Sequence, residues 1–98
     1  MYFITTFTDY EIDSHGIPDT GATRTVGYYK SKQDAINTVI ENCCDLHEYI
    51  YTYAVVEYIG EGIYNDAYER WFFKWNKDNL SYEPIEPFVD NFGNYAFG

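Results

Sequence analysis

Two cysteines and a histidine lie close together in this sequence and are the first candidates for chemistry. Cys43, Cys44 and His47 place a thiol and an imidazole about one helical turn apart, which is half of a zinc site or a Cys–His pair for nucleophilic catalysis. The only other histidine is His15, so no second pair completes a tetrahedral zinc site. The pattern favours a structural role instead, with Cys43 in the apolar stripe of a helix and His47 near its C-terminus, where a positive charge is stabilised. No metal site is predicted.

Acidic residues at alternate positions near the N-terminus resemble the start of a calcium-binding loop. Asp9, Glu11 and Asp13 have the required spacing, but Gly16 stands too late for the loop glycine and Thr20 replaces the closing glutamate. Glycine motifs that bind phosphates or dinucleotides are absent from the sequence. With 16 acidic residues some carboxylate pair is always close, so no acid–base pair is assigned. We therefore predict a protein that is not an enzyme and uses no cofactor.

The most informative pattern combines aromatic and basic residues in two short windows. Bases stack on aromatic faces and phosphates accept hydrogen bonds from Arg or Lys, so this combination fits a small anionic ligand of the nucleotide type. The predicted ligand-binding residues are Arg24, Tyr28, Lys30, Arg70, Trp71 and Lys74. The alternative, an ordinary core flanked by solvated charges, stays open.

The overall charge limits the partners of the chain. With 16 acidic and six basic residues the formal net charge is -10, which repels duplex nucleic acid and anionic membranes, so neither is predicted as a direct partner. The two cysteines are adjacent and do not form a disulfide framework. The N-terminus has no signal-peptide pattern and no window is apolar enough to span a membrane. We expect a cytoplasmic protein of a bacterial host cell.

Hydrophobic periodicity predicts the elements that position these residues. Alternation of apolar and polar residues indicates five strands, at residues 2–8, 24–30, 52–59, 69–76 and 81–85. Ser31 followed by Asp34 is typical of a helix N-terminus. The helix is predicted to begin at Ser31 or Lys32, to end between Cys43 and Glu48, and to pack through an apolar stripe of Ile36, Val39, Ile40 and Cys43. The fold class is α+β, with one helix packed across a face of an antiparallel sheet of about five strands.

Three further features of the chain bear on this arrangement. The run 54–56 is apolar throughout, which favours a central strand buried on both faces. Pro84 and Pro87 lack the backbone N–H, so the last strand is predicted at an edge. The polar segment 9–23, with its turn residues, is either a long hairpin connection or a mobile loop.

The C-terminal segment is predicted to dock rather than to extend into solvent. Residues 1–98 are predicted to form a single domain, in which residues 87–98 carry four aromatic rings with little regular pattern. Such a tail needs an apolar surface, either on its own sheet or on a neighbouring subunit. Because so much aromatic surface exceeds what one small core hides, we predict a homodimer or a higher homo-oligomer.

Several stretches resemble a family of small uncharacterised proteins encoded by gut Firmicutes and their phages. They are RTVGY at 24–28, CDLHE at 44–48, YAVVE at 53–57, EGIY at 61–64 and WFFKW at 71–75. The resemblance implies a mobile-element setting, in which small acidic proteins often disarm host defence. It carries no functional residues over to this chain.

Two modes of action follow from this reading. One is a sponge that sequesters a nucleotide-derived immune signal without cleaving it, in a pocket between subunits. The other is an anti-CRISPR or anti-restriction inhibitor whose carboxylates imitate the phosphates of nucleic acid on an effector protein. The grouped basic and aromatic residues favour the sponge, whereas the acidic residues are spread along the chain rather than massed in one run. A housekeeping role stays open as a third reading.

Overall fold

The structure, a computed structural model, describes residues 1–62, 67–88 and 95–96. In these residues one helix and seven strands follow one another along the chain. Their bounds are β1 Tyr2–Phe7, β2 Glu11–Ile12, β3 Pro18–Asp19, β4 Thr23–Tyr29, α1 Lys32–Ile40, β5 Tyr53–Ile59, β6 Ala67–Asn76 and β7 Ser81–Ile85.

Five of the described strands form one antiparallel sheet in the order β4-β1-β5-β6-β7, and α1 packs across one face. The predicted fold class is confirmed. The middle strand is β5, whose residues Ala54, Val55, Val56 and Glu57 are all buried, as the apolar run predicts. At one edge lies β7, which carries Pro84, as the missing backbone N–H of proline predicts.

The sheet has two covered faces, because side chains alternate along each strand. On the helix face, Ile4, Val56 and Phe73 pack against Ala35 and Val39 of α1. We call the opposite face the tail face, because Tyr95 of the C-terminal segment packs there. Its apolar cluster contains Phe7, Val55, Phe72 and Tyr95, with Tyr10, Tyr53, Ile85 and Phe88 packed against it.

Helix α1 begins as predicted and ends earlier than predicted. Ser31 is the N-cap, and its hydroxyl accepts the Asp34 backbone N–H at 3.3 Å. The helix stops at Ile40 because Asn42 takes the left-handed conformation, with φ of 48°. The N–H of Asn42 then donates to the Val39 carbonyl at 3.0 Å and that of Cys43 to the Thr38 carbonyl at 3.1 Å, the two bonds of a Schellman motif.

This early end corrects the predicted apolar stripe. Ile40 is 41% exposed and so lies outside the core, whereas Ala35 and Val39 are fully buried and Ile36 packs at the core margin. Cys43 is half-buried, because it follows the helix rather than continuing its face. Leu46 reaches the core from the connection to β5 instead.

The segment between β1 and β4 is an ordered hairpin rather than a mobile loop. Strands β2 and β3 pair within it, and Thr8 and Asp9 donate backbone hydrogen bonds to Ala22 and Thr20, each at 3.0 Å. Within the described residues, no helix has the length and apolar character needed to cross a membrane.

Candidate functional site

The structure does not bring the six predicted ligand-binding residues together in one chain. Arg24 and Tyr28 belong to β4 and Lys30 follows it, whereas Arg70, Trp71 and Lys74 belong to β6. Strands β1 and β5 lie between β4 and β6. Three strand spacings correspond to about 14 Å, so the two windows do not line one pocket.

The six residues are also divided between the two faces. Trp71 packs in the helix-face cluster, and Arg24 is paired with Thr6, whose side chain points to that same face. Arg70 and Lys74 point to the tail face, where they contact Glu57 and the Tyr53 ring. Lys30 is exposed.

Three of these positively charged side chains already have partners within the chain. Arg24 forms an ion pair with Glu48, with Nη1 3.1 Å from Oε2, and both side chains are largely solvated. Arg70 Nε donates to Oε2 of the fully buried Glu57 at 2.9 Å. Lys74 lies over the Tyr53 ring at 5.9 Å. An anion at Arg70 would have to compete with a buried carboxylate, so Arg70 does not serve as an open anion receptor.

Glu57 is the polar residue that sequence reasoning missed. It sits in the central strand with no exposed surface and accepts three hydrogen bonds, from Arg70 and from the backbone N–H groups of Tyr95 and Ala96 at 2.7 and 2.8 Å. A buried carboxylate needs such donors, because an unpaired charge in the interior is very costly. The signal was available, since a glutamate inside a strand predicted to be buried on both faces demands a partner.

His47 of the Cys43, Cys44 and His47 group is held by contacts with Trp75 and Tyr51. The His47 ring stacks on Trp75 at 3.9 Å with the planes 7° apart, and its Nδ1 lies 2.9 Å from the Tyr51 carbonyl oxygen. Both cysteines are free thiols. Nowhere in the described part of the chain do three or more His, Cys, Asp or Glu side chains group in a way that would hold a metal ion.

One end of the sheet collects three chain connections, and we call it the loop end. There β1 and β6 finish and β4, β5 and β7 begin, so the connections 8–22, 41–52 and 77–80 all lie at this end. Half of the 16 acidic residues lie on them, with Lys77 as the single Lys or Arg. The acidic residues are Asp9, Glu11, Asp13, Asp19, Glu41, Asp45, Glu48 and Asp78.

The loop end also carries exposed apolar side chains. Of the nine large apolar residues that are exposed in the described part of the chain, five lie on these three connections. They are Ile12, Ile17, Tyr49, Ile50 and Leu80, of which Tyr49 is 91% and Leu80 71% exposed. Single exposed apolar residues are ordinary, but several on one end of a small domain are typical of a protein-binding surface.

The hairpin at the loop end places like charges opposite each other. Glu11 of β2 and Asp19 of β3 are direct cross-strand partners, and both are exposed. Like charges at such positions destabilise a hairpin. Asp13 stabilises the turn, since its Oδ1 accepts the backbone N–H groups of His15 and Ile17 at 2.8 and 2.9 Å. The hairpin is therefore held by its turn while its sides carry repelling carboxylates.

The connection 41–52 has a backbone conformation that raises the free energy of several of its residues. Five non-glycine residues between 42 and 49 have φ between 47° and 62°, the left-handed region that costs an ordinary residue about 1 kcal/mol or more. Buried Leu46 and the His47–Trp75 stack hold the segment in place. Local strain of this kind concentrates at functional sites, and in this segment Tyr49 and Ile50 are exposed to solvent.

Two titratable groups beside the loop end have altered acidity. Burial raises the pKa of Tyr82, assisted by the charges of Asp45 and Glu48, and the Tyr82 hydroxyl donates to the Tyr51 carbonyl at 2.7 Å. Side-chain hydrogen bonds lower the pKa of the half-buried Glu83, first from Asn76 and then from Asn79. Both effects stabilise the ordinary charge state at neutral pH, so neither group is poised for proton transfer there.

Comparison with known proteins gives no relative: no family model, no curated protein and no solved structure matches this chain.

Proposed function

We propose that this protein acts by binding, without running a reaction, and that its loop end occupies a basic surface of a protein partner. The observation that carries this proposal is the concentration of half of the acidic residues, with a single lysine, on three connections at one end of the sheet. Carboxylates in this density attract the Lys and Arg side chains that otherwise bind phosphates.

The mixture of charges and apolar side chains supports a protein partner. Stable interfaces bury a few aromatic or aliphatic anchors and surround them with a polar rim. Tyr49, Ile50 and Leu80 supply anchors that need no rearrangement to reach solvent, and the hairpin carboxylates supply the rim. The repulsion between Glu11 and Asp19 would be relieved by a cation placed between them, which favours a basic partner further.

The setting proposed for this activity is a mobile element that disarms host defence. A CRISPR or restriction effector has a basic groove for nucleic acid, and a net charge of -10 on the inhibitor speeds its approach to that groove. In this proposal the inhibitor blocks the effector by competing with its nucleic acid. The setting rests on the resemblance alone, whereas the binding surface rests on the loop end.

A matched pair of double variants tests the proposal. Glu11→Gln with Asp19→Asn removes two charges from the loop end, and Glu69→Gln with Glu86→Gln removes two exposed charges elsewhere. An effector captured from defence-active cells is titrated with each variant by calorimetry, which gives the binding affinity at low and at high salt. The titration is repeated with DNA present as a competitor for the effector. We expect the hairpin variant to weaken binding at least about tenfold and to flatten the salt dependence, since close charge pairs contribute about 1.5 kcal/mol or more.

The control variant should bind within about twofold of the intact protein, because its charges lie outside the contact and act only at long range. Equal losses in both variants would show that net charge alone drives binding. An effector that keeps its DNA affinity when the protein is bound would overturn competition with nucleic acid.

A second candidate function, the sponge, has one observation in its favour. A cavity of about 270 Å³ lies between β4 and residues 43–48, and Arg24 and Tyr29 both line it beside Ile4 and Val26. Glu48 also lines this cavity and would repel a phosphate there. Calorimetry against cyclic dinucleotides and ADP-ribose derivatives, followed by chromatography of the recovered ligand, tests the sponge. Binding that Arg24→Ala abolishes, with the ligand recovered unchanged, would favour it over the loop-end proposal.

A further inference from the structure

The contact between the C-terminal segment and the tail face has the composition of a peptide-binding site. Glu57 accepts two consecutive backbone N–H groups, one on each carboxylate oxygen: Tyr95 N lies 2.7 Å from Oε2 and Ala96 N lies 2.8 Å from Oε1. Arg70 orients the carboxylate from the side at 2.9 Å. Main-chain hydrogen bonds of this kind hold a segment whatever its side chains, as in other modes of peptide recognition.

Beside the Glu57 carboxylate, Phe7 and Phe72 form an aromatic slot that selects the side chains of the bound segment. The Tyr95 ring stacks on Phe7 with centroids 5.3 Å apart and meets Phe72 edge-on at 5.5 Å. The Arg70 guanidinium lies 5.5 Å from the same ring. Tyr95 is almost fully buried and Ala96 completely so, so the slot takes an aromatic residue followed by a small one.

Removing the segment would leave polar and aromatic groups of the site without partners that they now have. Without the segment, Glu57 would keep Arg70 but lose both N–H donors, and Phe7 and Phe72 would lose the Tyr95 ring, one of the aromatic rings packed on them. A carboxylate left short of donors and an uncovered aromatic slot both favour rebinding. Any segment with the same chemistry satisfies the site equally well, and a second copy of this chain carries that segment by definition.

We propose that Glu57, Arg70 and the slot of Phe7 and Phe72 form a transferable receptor for the C-terminal segment, so that the tail of a second copy can replace the tail of the same chain. A tethered segment competes at an effective concentration of roughly millimolar, which keeps the tail in its own chain in dilute solution. Exchange becomes visible when the internal contact is disabled, and reciprocal exchange gives a closed symmetric dimer.

Two complementary variants separate receptor from segment. Tyr95→Ala keeps the receptor and disables the tail, whereas Glu57→Gln keeps the tail and disables the receptor, because an amide offers one acceptor and a competing donor. Each variant alone is expected at the mass of one chain, 11.6 kDa, by light scattering at roughly 500 μM, because it lacks either a working tail or a working receptor. An equimolar mixture is expected to shift to about twice that mass. Glu69→Gln, an exposed glutamate on β6, replaces Glu57→Gln as the matched control.

The result that overturns the proposal is a mixture that stays at the mass of one chain while both variants are folded by circular dichroism. Equally damaging would be a Tyr95→Ala variant that self-associates as readily as it binds its complement. A second measurement does not depend on the Glu57 substitution. A synthetic peptide of residues 88–98 is added to Tyr95→Ala, and we expect a rise in its melting temperature.

The same peptide carrying the Tyr95→Ala change should give no such rise, because it brings no ring to the slot. If the intact peptide fails to stabilise Tyr95→Ala, or if both peptides act alike, the receptor is not transferable and the contact is only part of the fold.

Discussion

Replacing two neighbouring residues of α1 tests where the core ends. Val39 is fully buried against the sheet, whereas Ile40, the next residue, is 41% exposed. Val39→Ala removes two methyl-sized groups, which is about 1.6 kcal/mol in transfer free energy at about 0.8 kcal/mol for each. The cavity adds about 1 kcal/mol if the surroundings do not collapse, and the better helix propensity of alanine returns about half of that. The net expected loss is about 1.5 to 2.5 kcal/mol.

Ile40→Ala removes more atoms and is nevertheless expected to cost less. Its side chain keeps much of its hydration in the folded state, and alanine again favours the helix, so we expect a loss of at most about 1 kcal/mol. Urea unfolding followed by circular dichroism measures both. For a domain of this size the Val39→Ala midpoint should fall by about 1 to 2 M.

The order of the two losses carries the test, because it is independent of the slope assumed for urea. A larger loss at Ile40 than at Val39 would mean that the helix is rotated or continues beyond Ile40, and the assignment of its C-terminus at a Schellman motif would then be wrong. Equal slopes for the three proteins are the control for two-state unfolding.

Three other substitutions probe the loop end and its surroundings. Tyr82→Phe should cost about 1 kcal/mol at neutral pH because the Tyr51 carbonyl loses one of its two side-chain partners. Since the folded pKa of Tyr82 is raised, the natural chain should lose stability as pH rises above about 10 and the variant less so, as urea midpoints at pH 8 and 11 will show. Asn42→Ala should lower stability by about 1 to 2 kcal/mol through its left-handed φ, and an unchanged thermal midpoint would contradict the C-cap. Asn76 and Asn79 lower the folded pKa of Glu83, so the ionised Glu83 stabilises the folded state above its unfolded pKa, and this stabilisation is lost on acidification. The melting temperature of Glu83→Gln should therefore approach that of the natural chain between pH 6 and 3. A difference that stays constant would argue against these hydrogen bonds.

Local pattern determined the five strands of the main sheet and the start of α1 to within one or two residues. Runs of β-branched and aromatic residues gave β1 and β5, and Ser31 with Asp34 gave the start of α1, since these signals act between near neighbours in the chain. The end of α1 was also local, but its signal was Asn42, which tolerates the left-handed conformation that closes a helix. The apolar residues beyond it repeated at helical spacing and concealed that stop.

Strand order decided which residues share a site, and strand order is a non-local property. The basic windows at 24–30 and 70–74 look alike in the sequence, yet β1 and β5 separate them in the sheet. Glu57 depends on donors from Tyr95 and Ala96, and no pattern around residue 57 identifies so distant a partner. Such contacts form only when the whole sheet is in place.

The acidic surface shows the same division most clearly. By itself the sequence determined the amount of charge and the types of side chain, and it showed the carboxylates spread along the chain. Antiparallel pairing then placed three separate connections at one end of the sheet. The chain reverses direction at each connection, so every second connection lies at the same end. Only this tertiary arrangement brought half of the carboxylates together with Tyr49, Ile50 and Leu80 on a common surface.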